Sequence, residues 1–206
     1  MTKANLSGIK NIIFDFGRVL LNINPALTSE ALHKLNFKPN NGLEGRKDDD
    51  VVGLLESGHI TSEEFIDIVL KAVNENTTKE EVINAWNAML LDFPLSHVDC
   101  LKKLKGQYRL FLLSNSNQIH YDYYATAFKE AHGFELQDLF EKMWFSFEIG
   151  LIKPDTEIFR YVLSDGALKP EETLFIDDTL VHVEAAAKVG IHTYHLTGSD
   201  DICDIF

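Results

Sequence analysis

Apolar residues recur along this chain with two different periods, and the change from one to the other divides it. The first apolar run, Ile12-Ile13-Phe14, is short and unbroken and stops at a carboxylate, Asp15, with Gly17 two residues on. A continuous run bounded by a turn signal predicts a buried strand of a parallel sheet. An acidic residue at its C-terminal tip lies where open α/β sheets bind their ligands. Taken alone, such an aspartate reads as the cap of the following turn. A second apolar run, Val19 to Leu21, follows.

From residue 25 to residue 95 the period is helical. Leu27, Ala31 and Leu35 share one face. Phe65, Ile68, Val69 and Ala72 form a second stripe, and Val82, Ala85, Trp86, Met89 and Leu90 a third. Thr61 with Glu64, and Thr78 with Glu81, carry capping-box spacing. Between the first two stripes, residues 39–50 (PNNGLEGRKDDD) are polar and glycine-bearing, and they predict a loop. This stretch is long enough for a small helical bundle, and it interrupts an α/β pattern.

That pattern resumes at Ser96. A short helix carrying Val98, Leu101 and Leu104 ends near Gly106, and YRLFLLSN (108–115) predicts a second strand. A helix lined by Tyr121, Tyr124, Ala125 and Phe128 closes at Gly133 before a third strand, KMWFSF (142–147). Ile158, Phe159 and Val162 mark a helix that stops at Gly166, and TLFIDD (173–178) is a fourth strand tipped by two carboxylates. Val183, Ala186 and Ala187 face the sheet from a helix that ends at Gly190 and leads into a fifth strand, IHTYHL. Strand and helix in alternation imply a parallel sheet with right-handed crossovers and helices on both faces. The fold class is therefore α/β, with residues 22–95 as an all-helical insertion between residues 1–21 and 96–206. No internal repeat and no low-complexity segment is visible.

Composition narrows the function. Of 206 residues, 32 are acidic and 19 basic, a net charge of −13. Nucleic-acid backbones require clustered Lys and Arg, so that partner is disfavoured. The two cysteines, Cys100 and Cys203, make neither a ligand cluster nor a disulfide framework. The N-terminal segment MTKANLSGIK is polar, and no apolar run approaches membrane-spanning length. A cytoplasmic setting and no membrane association are the expectation. The terminal Cys203-Asp204-Ile205-Phe206 departs from a prenylation box at Asp204.

Three predicted strand tips share one crevice: Asp15, Ser114-Asn115 and Asp177-Asp178, with Lys153 in the loop GLIKPDTEIF. Each has an ordinary reading as a cap, a turn or solvated surface. Their order, each after an apolar run or before a helix, has none. Clustered carboxylates repel one another unless a cation joins them, and hard oxygen ligands select Mg²⁺. The set suits phosphoryl transfer, with Asp15 as nucleophile and Ser114, the Asn115 amide region and Lys153 holding the phosphate oxygens.

FDFGRVL, LLSN, the lysine of IKPD and FIDD resemble, in order and spacing, the four motifs of the haloacid dehalogenase-like hydrolases. The resemblance implies a Rossmann-like core, a small helical cap that closes over the substrate, and a Mg²⁺-dependent phosphatase mechanism on a small phosphorylated metabolite. It implies that Asp15 is both nucleophile and metal ligand, with the carbonyl of Gly17 as a second ligand. Ser114 and Lys153 would bind phosphate, and Asp177 and Asp178 the metal. Phosphatases of this kind usually carry an acid two residues after the nucleophile, where this chain has Gly17. Loss of general acid catalysis is worth about 10²–10⁴-fold. A branch with FDLGNV-like motifs shares the glycine and is similar to sugar-phosphate phosphatases.

His182 stands where relatives carry Asn, and it reads as a helix-surface histidine. Arg18 reads equally as an anion contact and as a turn residue, while Arg46 and Lys47 read as a solvated loop. His120 is a candidate substitute acid or an incidental histidine. Two alternatives to the phosphatase are a metal-free haloacid dehalogenase and a catalytically impaired binding protein. Substrate identity and oligomeric state stay open.

Overall fold

The computed structural model describes residues 3–38, 51–198 and 200–206. The loop expected over 39–50, with Arg46 and Lys47, lies outside them. Five strands form one parallel sheet: β1 (Asn11–Phe14), β2 (Arg109–Ser114), β3 (Lys142–Phe145), β4 (Thr173–Asp177) and β5 (His192–His195). Their spatial order is β3-β2-β1-β4-β5. The first strand is thus central, with Phe14 beside Leu112 of β2 and Ile176 of β4. The chain winds one way from β1 and then crosses back to the other side, so the reversal falls beside β1, where α/β sheets open a ligand crevice.

The pleat sorts the apolar runs onto two faces. Ile12, Phe14, Leu110, Leu112, Leu174 and Ile176 enter one buried cluster. Ile13, Phe111, Leu113 and Phe175 enter the other. Helices α5 (Leu95–Lys105) and α6 (Gln118–His132) pack on the first face, through Val98, Leu101, Leu104, Tyr124 and Phe128. A one-turn helix, α7 (Ser146–Ile149), follows β3. Helices α8 (Thr156–Asp165) and α9 (Leu180–Ala187) cover the second face, through Ile158, Phe159, Val162, Ala185 and Ala186. Gly133 closes α6 at φ 78°, a left-handed conformation that suits glycine. On α9 the sequence placed Ala187 against the sheet. It is exposed, and Ala185 is buried instead, because the helix packs on the sheet through the face that carries Val183, Ala185 and Ala186.

Between β1 and α5 lie α1 (Pro25–Lys34), α2 (Val51–Glu56), α3 (Ser62–Leu70) and α4 (Lys79–Asn87). Both capping boxes form: Thr61 and Thr78 accept from the Glu64 and Glu81 amides, and those carboxylates accept from the threonine amides. Val51, Leu55, Phe65, Ile66, Val69 and Val82 make a separate apolar cluster that also takes in Ile119 of α6. The stripe Leu27-Ala31-Leu35 is only half-buried, and Thr28 is the buried residue of α1. Its hydroxyl donates to the Trp86 carbonyl at 2.9 Å and accepts from the Met89 amide at 3.1 Å, which offsets the loss of water.

The chain enters and leaves this unit along adjacent segments. The Asn22 amide donates to Asp92 O and the Leu91 amide to Asn22 O, at 2.9 and 3.0 Å. Ile23 and Leu90 form an antiparallel bridge between the two segments. Among the described residues no helix is long and apolar enough to cross a membrane.

Candidate active site

Asp15 follows β1, Ser114 ends β2 and Asp177 ends β4, so three neighbouring strands deliver three polar groups to one edge. Lys153 reaches the same point from the loop between α7 and α8. Its Nζ donates to Asp15 Oδ1 at 2.6 Å, to Asp177 Oδ2 at 2.7 Å and to the Leu113 carbonyl at 3.2 Å. Those three acceptors match the three protons of an ammonium. The Lys153 side chain is wholly buried, and Nζ lies 5.4 Å from the centre of the Phe175 ring. Its backbone is fixed as firmly. The Asn115 amide donates to Lys153 O and accepts from Lys153 N, both at 3.0 Å. The Asn115 side chain therefore aims the lysine and is not left pointing at a ligand. Ser114 is buried, and its hydroxyl donates to the Asn115 carbonyl at 3.3 Å.

The electrostatics follow from this packing. Burial pushes the Asp15 carboxyl up to about 6, helped by Asp177 and opposed by the Lys153 ammonium. Burial also works against the charge on Lys153, but Asp15 and Asp177 outweigh it and hold the ammonium above its usual range. For Asp177, Lys153 and His182 together overcome burial and hold the carboxyl below the ordinary value. Asp15 is thus mostly ionised at neutral pH in a site that excludes most water.

The paired aspartates differ. Asp177 is inaccessible to solvent, and both of its oxygens are engaged: Oδ1 accepts from the Thr179 amide at 2.8 Å, and Oδ2 accepts from Lys153. His182 Nδ1 lies 3.2 and 3.1 Å from the two oxygens. Asp178 is more open, with Oδ1 accepting from the Thr179 hydroxyl at 3.2 Å and Oδ2 3.6 Å from Arg18. One carboxylate oxygen from each of Asp15, Asp177 and Asp178 lies within 4.8 Å of the others. That donor set fits a hard divalent cation.

Residues 16–21 fold into a tight loop in which the Phe16 carbonyl accepts from the Leu20 and Leu21 amides, both at 2.9 Å. Arg18 sits in it at φ 62° with its side chain more than half exposed, so it is at once a turn residue and a neighbour of Asp178. Gly17 needs no special backbone conformation. A Cβ built there would meet Ile23 Cδ1 at 3.1 Å. The space beside residue 17 is therefore partly filled by an apolar side chain.

Two histidines depart from their sequence readings. His182, read as a surface residue, is mostly buried and touches both oxygens of Asp177. The first turn of α9 brings it back over the strand tip, and the sequence signal was the Asn that relatives carry there, another side-chain donor. His120, weighed as a substitute acid, is buried and stacked on Trp86 at 5.2 Å. Its Nε2 lies 3.2 Å from the Trp86 carbonyl and its Nδ1 3.2 Å from the Asn117 amide nitrogen. Since the carbonyl can only accept, Nε2 carries the proton and Nδ1 accepts. Burial lowers this imidazole to about 4, so it is neutral near pH 7 and its one N–H is occupied.

A central-strand aspartate paired with a buried lysine, beside further carboxylates at one edge of a parallel sheet, is the arrangement of an α/β hydrolase. Comparison with known proteins gives that class its family. The family model of the haloacid dehalogenase-like hydrolases matches residues 12–196, and the chain belongs to that family. It is 29% identical over 187 residues to a D-ribitol-5-phosphate phosphatase of Bacteroides thetaiotaomicron, covering 90% of this chain and 91% of the relative. Among solved structures it is similar to a family enzyme from Bacteroides thetaiotaomicron in complex with magnesium and inorganic phosphate. That match has a TM-score of 0.89 and 33% identity over 96% of this chain and 99% of the other. A hydrolase of the same family from Porphyromonas gingivalis matches with a TM-score of 0.83 and 31% identity, over 93% of each chain.

Proposed function

We propose that this protein is a Mg²⁺-dependent phosphatase that releases inorganic phosphate from a small sugar or polyol phosphate through an aspartyl-phosphate on Asp15. The observation that carries this reading is Lys153 Nζ, held between Asp15 Oδ1 at 2.6 Å and Asp177 Oδ2 at 2.7 Å with Asp178 beside them. The D-ribitol-5-phosphate phosphatase relative supports the substrate class. The magnesium and phosphate complex of the similar enzyme supports the cation.

Asp15, the Gly17 carbonyl and Asp178 would hold Mg²⁺. Asp177, with its oxygens already engaged, orients Lys153 and His182. When bound, the cation neutralises the phosphate dianion that a carboxylate must approach. The ionised Asp15 carboxylate attacks phosphorus, and the substrate's ester oxygen departs with its bonding pair. The Asn115 main-chain N–H, and Lys153 and the Ser114 hydroxyl once each turns a proton away from a present acceptor, would hold the equatorial oxygens. Water then attacks the aspartyl-phosphate at phosphorus, which frees phosphate and restores Asp15. No side chain at position 17 supplies a proton to the departing oxygen.

We take residues 22–95 as the cap and residues 1–21 and 96–206 as the core, joined along the Ile23–Leu90 crossing. Both cysteines are free thiols, which supports a cytoplasmic setting. Phosphate release from D-ribitol 5-phosphate and a panel of sugar phosphates tests the reading. Turnover should require Mg²⁺, stop with EDTA and disappear in Asp15→Asn. Release of halide from a 2-haloacid without metal would favour the dehalogenase alternative, and binding without turnover the impaired one.

A further inference from the structure

The two cysteines lie roughly 100 residues apart in the chain and come together where the C-terminal turn packs against α5. Cys100 is on α5, and Cys203 is in the C-terminal 3₁₀ turn, Ile202–Ile205. Both are half-buried free thiols. The Cys203 thiol lies 3.5 Å from the Ser96 carbonyl, one helical turn before Cys100. The backbones that carry them are fixed. Asp201 Oδ1 accepts from the Cys203 amide at 2.8 Å, the Ile205 carbonyl accepts from the Ala4 amide at 2.9 Å, and Ile202 and Ile205 are buried. His97 of α5 lies 3.7 Å from the Asp201 carboxylate. Both cysteines line one pocket of about 460 Å³ with Ser96, Asp99, Lys103 and Gln107, a volume larger than a peroxide needs.

We propose that Cys100 and Cys203 are a modification site: a dithiol that closes to an intramolecular disulfide under peroxide and staples the C-terminal turn to α5. In the first step a thiolate attacks one peroxide oxygen, the O–O bond breaks, and a sulfenic acid and hydroxide form. The second thiol, losing its proton, then attacks the sulfenic sulfur, and water leaves. Two thiols are oxidised, one peroxide is reduced, and two waters result. Burial raises both thiols, so the pair closes slowly near neutral pH and answers sustained oxidant rather than turning over as a catalytic dithiol. The staple spans most of the α/β core and restrains the unfolded chain strongly. The loop that precedes the turn carries Thr197, Gly198, Asp200 and Asp201 and shares a pocket of about 610 Å³ with Arg18 and Asp178. Oxidation therefore stiffens a wall next to the active site.

The test treats the full chain with hydrogen peroxide, alkylates it in denaturant, and measures intact mass, a peptide map and melting temperature. The expected result is a monomer that has lost two hydrogens, takes up no alkylating agent, and yields one cross-linked peptide joining residues 100 and 203. Its melting temperature should rise by roughly 5–15 °C and fall back on reduction. Cys100→Ser and Cys203→Ser should each abolish both the cross-link and the rise. Oxygen gain at either sulfur without a cross-link, or cross-links only between chains, overturns the proposal. Neither readout depends on phosphatase activity, so the two readings fail independently.

Discussion

Gly17 is the most informative position to change. Its backbone is not in the left-handed region, so an aspartate there adopts an ordinary conformation. The one obstacle is Ile23 Cδ1, 3.1 Å from where the new Cβ would lie, and a flexible terminal methyl can yield by a few tenths of an ångström. If the departing alkoxide leaves without a proton from the protein, Gly17→Asp should speed alkyl phosphate hydrolysis by about 10²–10⁴-fold. That corresponds to about 3–5 kcal/mol of barrier. A p-nitrophenolate leaves easily without protonation, so p-nitrophenyl phosphate serves as the internal control. The assay compares kcat/KM for D-ribitol 5-phosphate and p-nitrophenyl phosphate, with Mg²⁺, in the native chain, Gly17→Asp, and Gly17→Asp with Ile23→Ala. The alkyl-to-aryl ratio should rise in the first variant and at least as much in the second, where the carboxyl has room. An unchanged ratio in both folded variants would refute the argument. A parallel rise in both substrates would place the effect on nucleophile or cation.

Three further outcomes follow from the same geometry. Lys153→Met leaves Asp15 and Asp177 buried and facing each other without a counter-charge, so it should abolish turnover and cost about 3–5 kcal/mol of stability, read by urea denaturation. Asp178→Asn should weaken Mg²⁺ binding by calorimetry with little change in melting temperature, whereas Asp177→Asn should lower the melting temperature by several degrees, because Asp177 alone is fully engaged. His120 should govern an acid limb of stability. Its folded pKa of about 4 lies below the ordinary 6.5, so between those values the unfolded chain binds the extra proton. Its contribution is complete above pH 6.5 and falls by about 3 kcal/mol as pH drops to 4. Urea midpoints across that window should fall more steeply in the native chain than in His120→Gln, and equal slopes would rule the imidazole out.

What the sequence revealed, and what it withheld, has a physical basis. Unbroken apolar runs such as Ile12-Ile13-Phe14 and Leu110 to Leu113 advertise strands buried on both faces, and residues at their ends must lie on one sheet edge. Asp15, Ser114 and Asp177 were legible for that reason. The two capping boxes were legible because a cap is a local event, complete within four residues. His182 and Asn115 were not. Their roles depend on which group lies opposite across space: both oxygens of Asp177 for His182, and the main chain of Lys153 for Asn115. Periodicity reports burial and not partnership. It also misplaced Ala187, because residues at the border of a helix face are separated by a single step of about 100° and packing decides which of them is covered.

The helical unit reaches the chemistry at two points, and both are outside the reach of a motif. Ile23 belongs to the crossing that joins the unit to the core, yet its terminal methyl occupies the space where an acid at position 17 would stand. The Trp86 carbonyl belongs to α4, yet it accepts from both Thr28 of α1 and His120 of α6. His120 in turn is bonded to Asn117, in the loop that begins at Ser114. That loop is also held from below, where Ser146 Oγ accepts from the Ser116 amide and donates to the Ser116 carbonyl. A movement of α4 relative to α6 must therefore break the Trp86–His120 contact or carry the Ser114–Asn117 loop with it. Ser146 anchors the loop with two bonds, of 3.0 and 3.2 Å, against the one imidazole contact of 3.2 Å, so the single contact is the one that yields. The Ser114–Asn117 loop then keeps its shape if α4 shifts against α6.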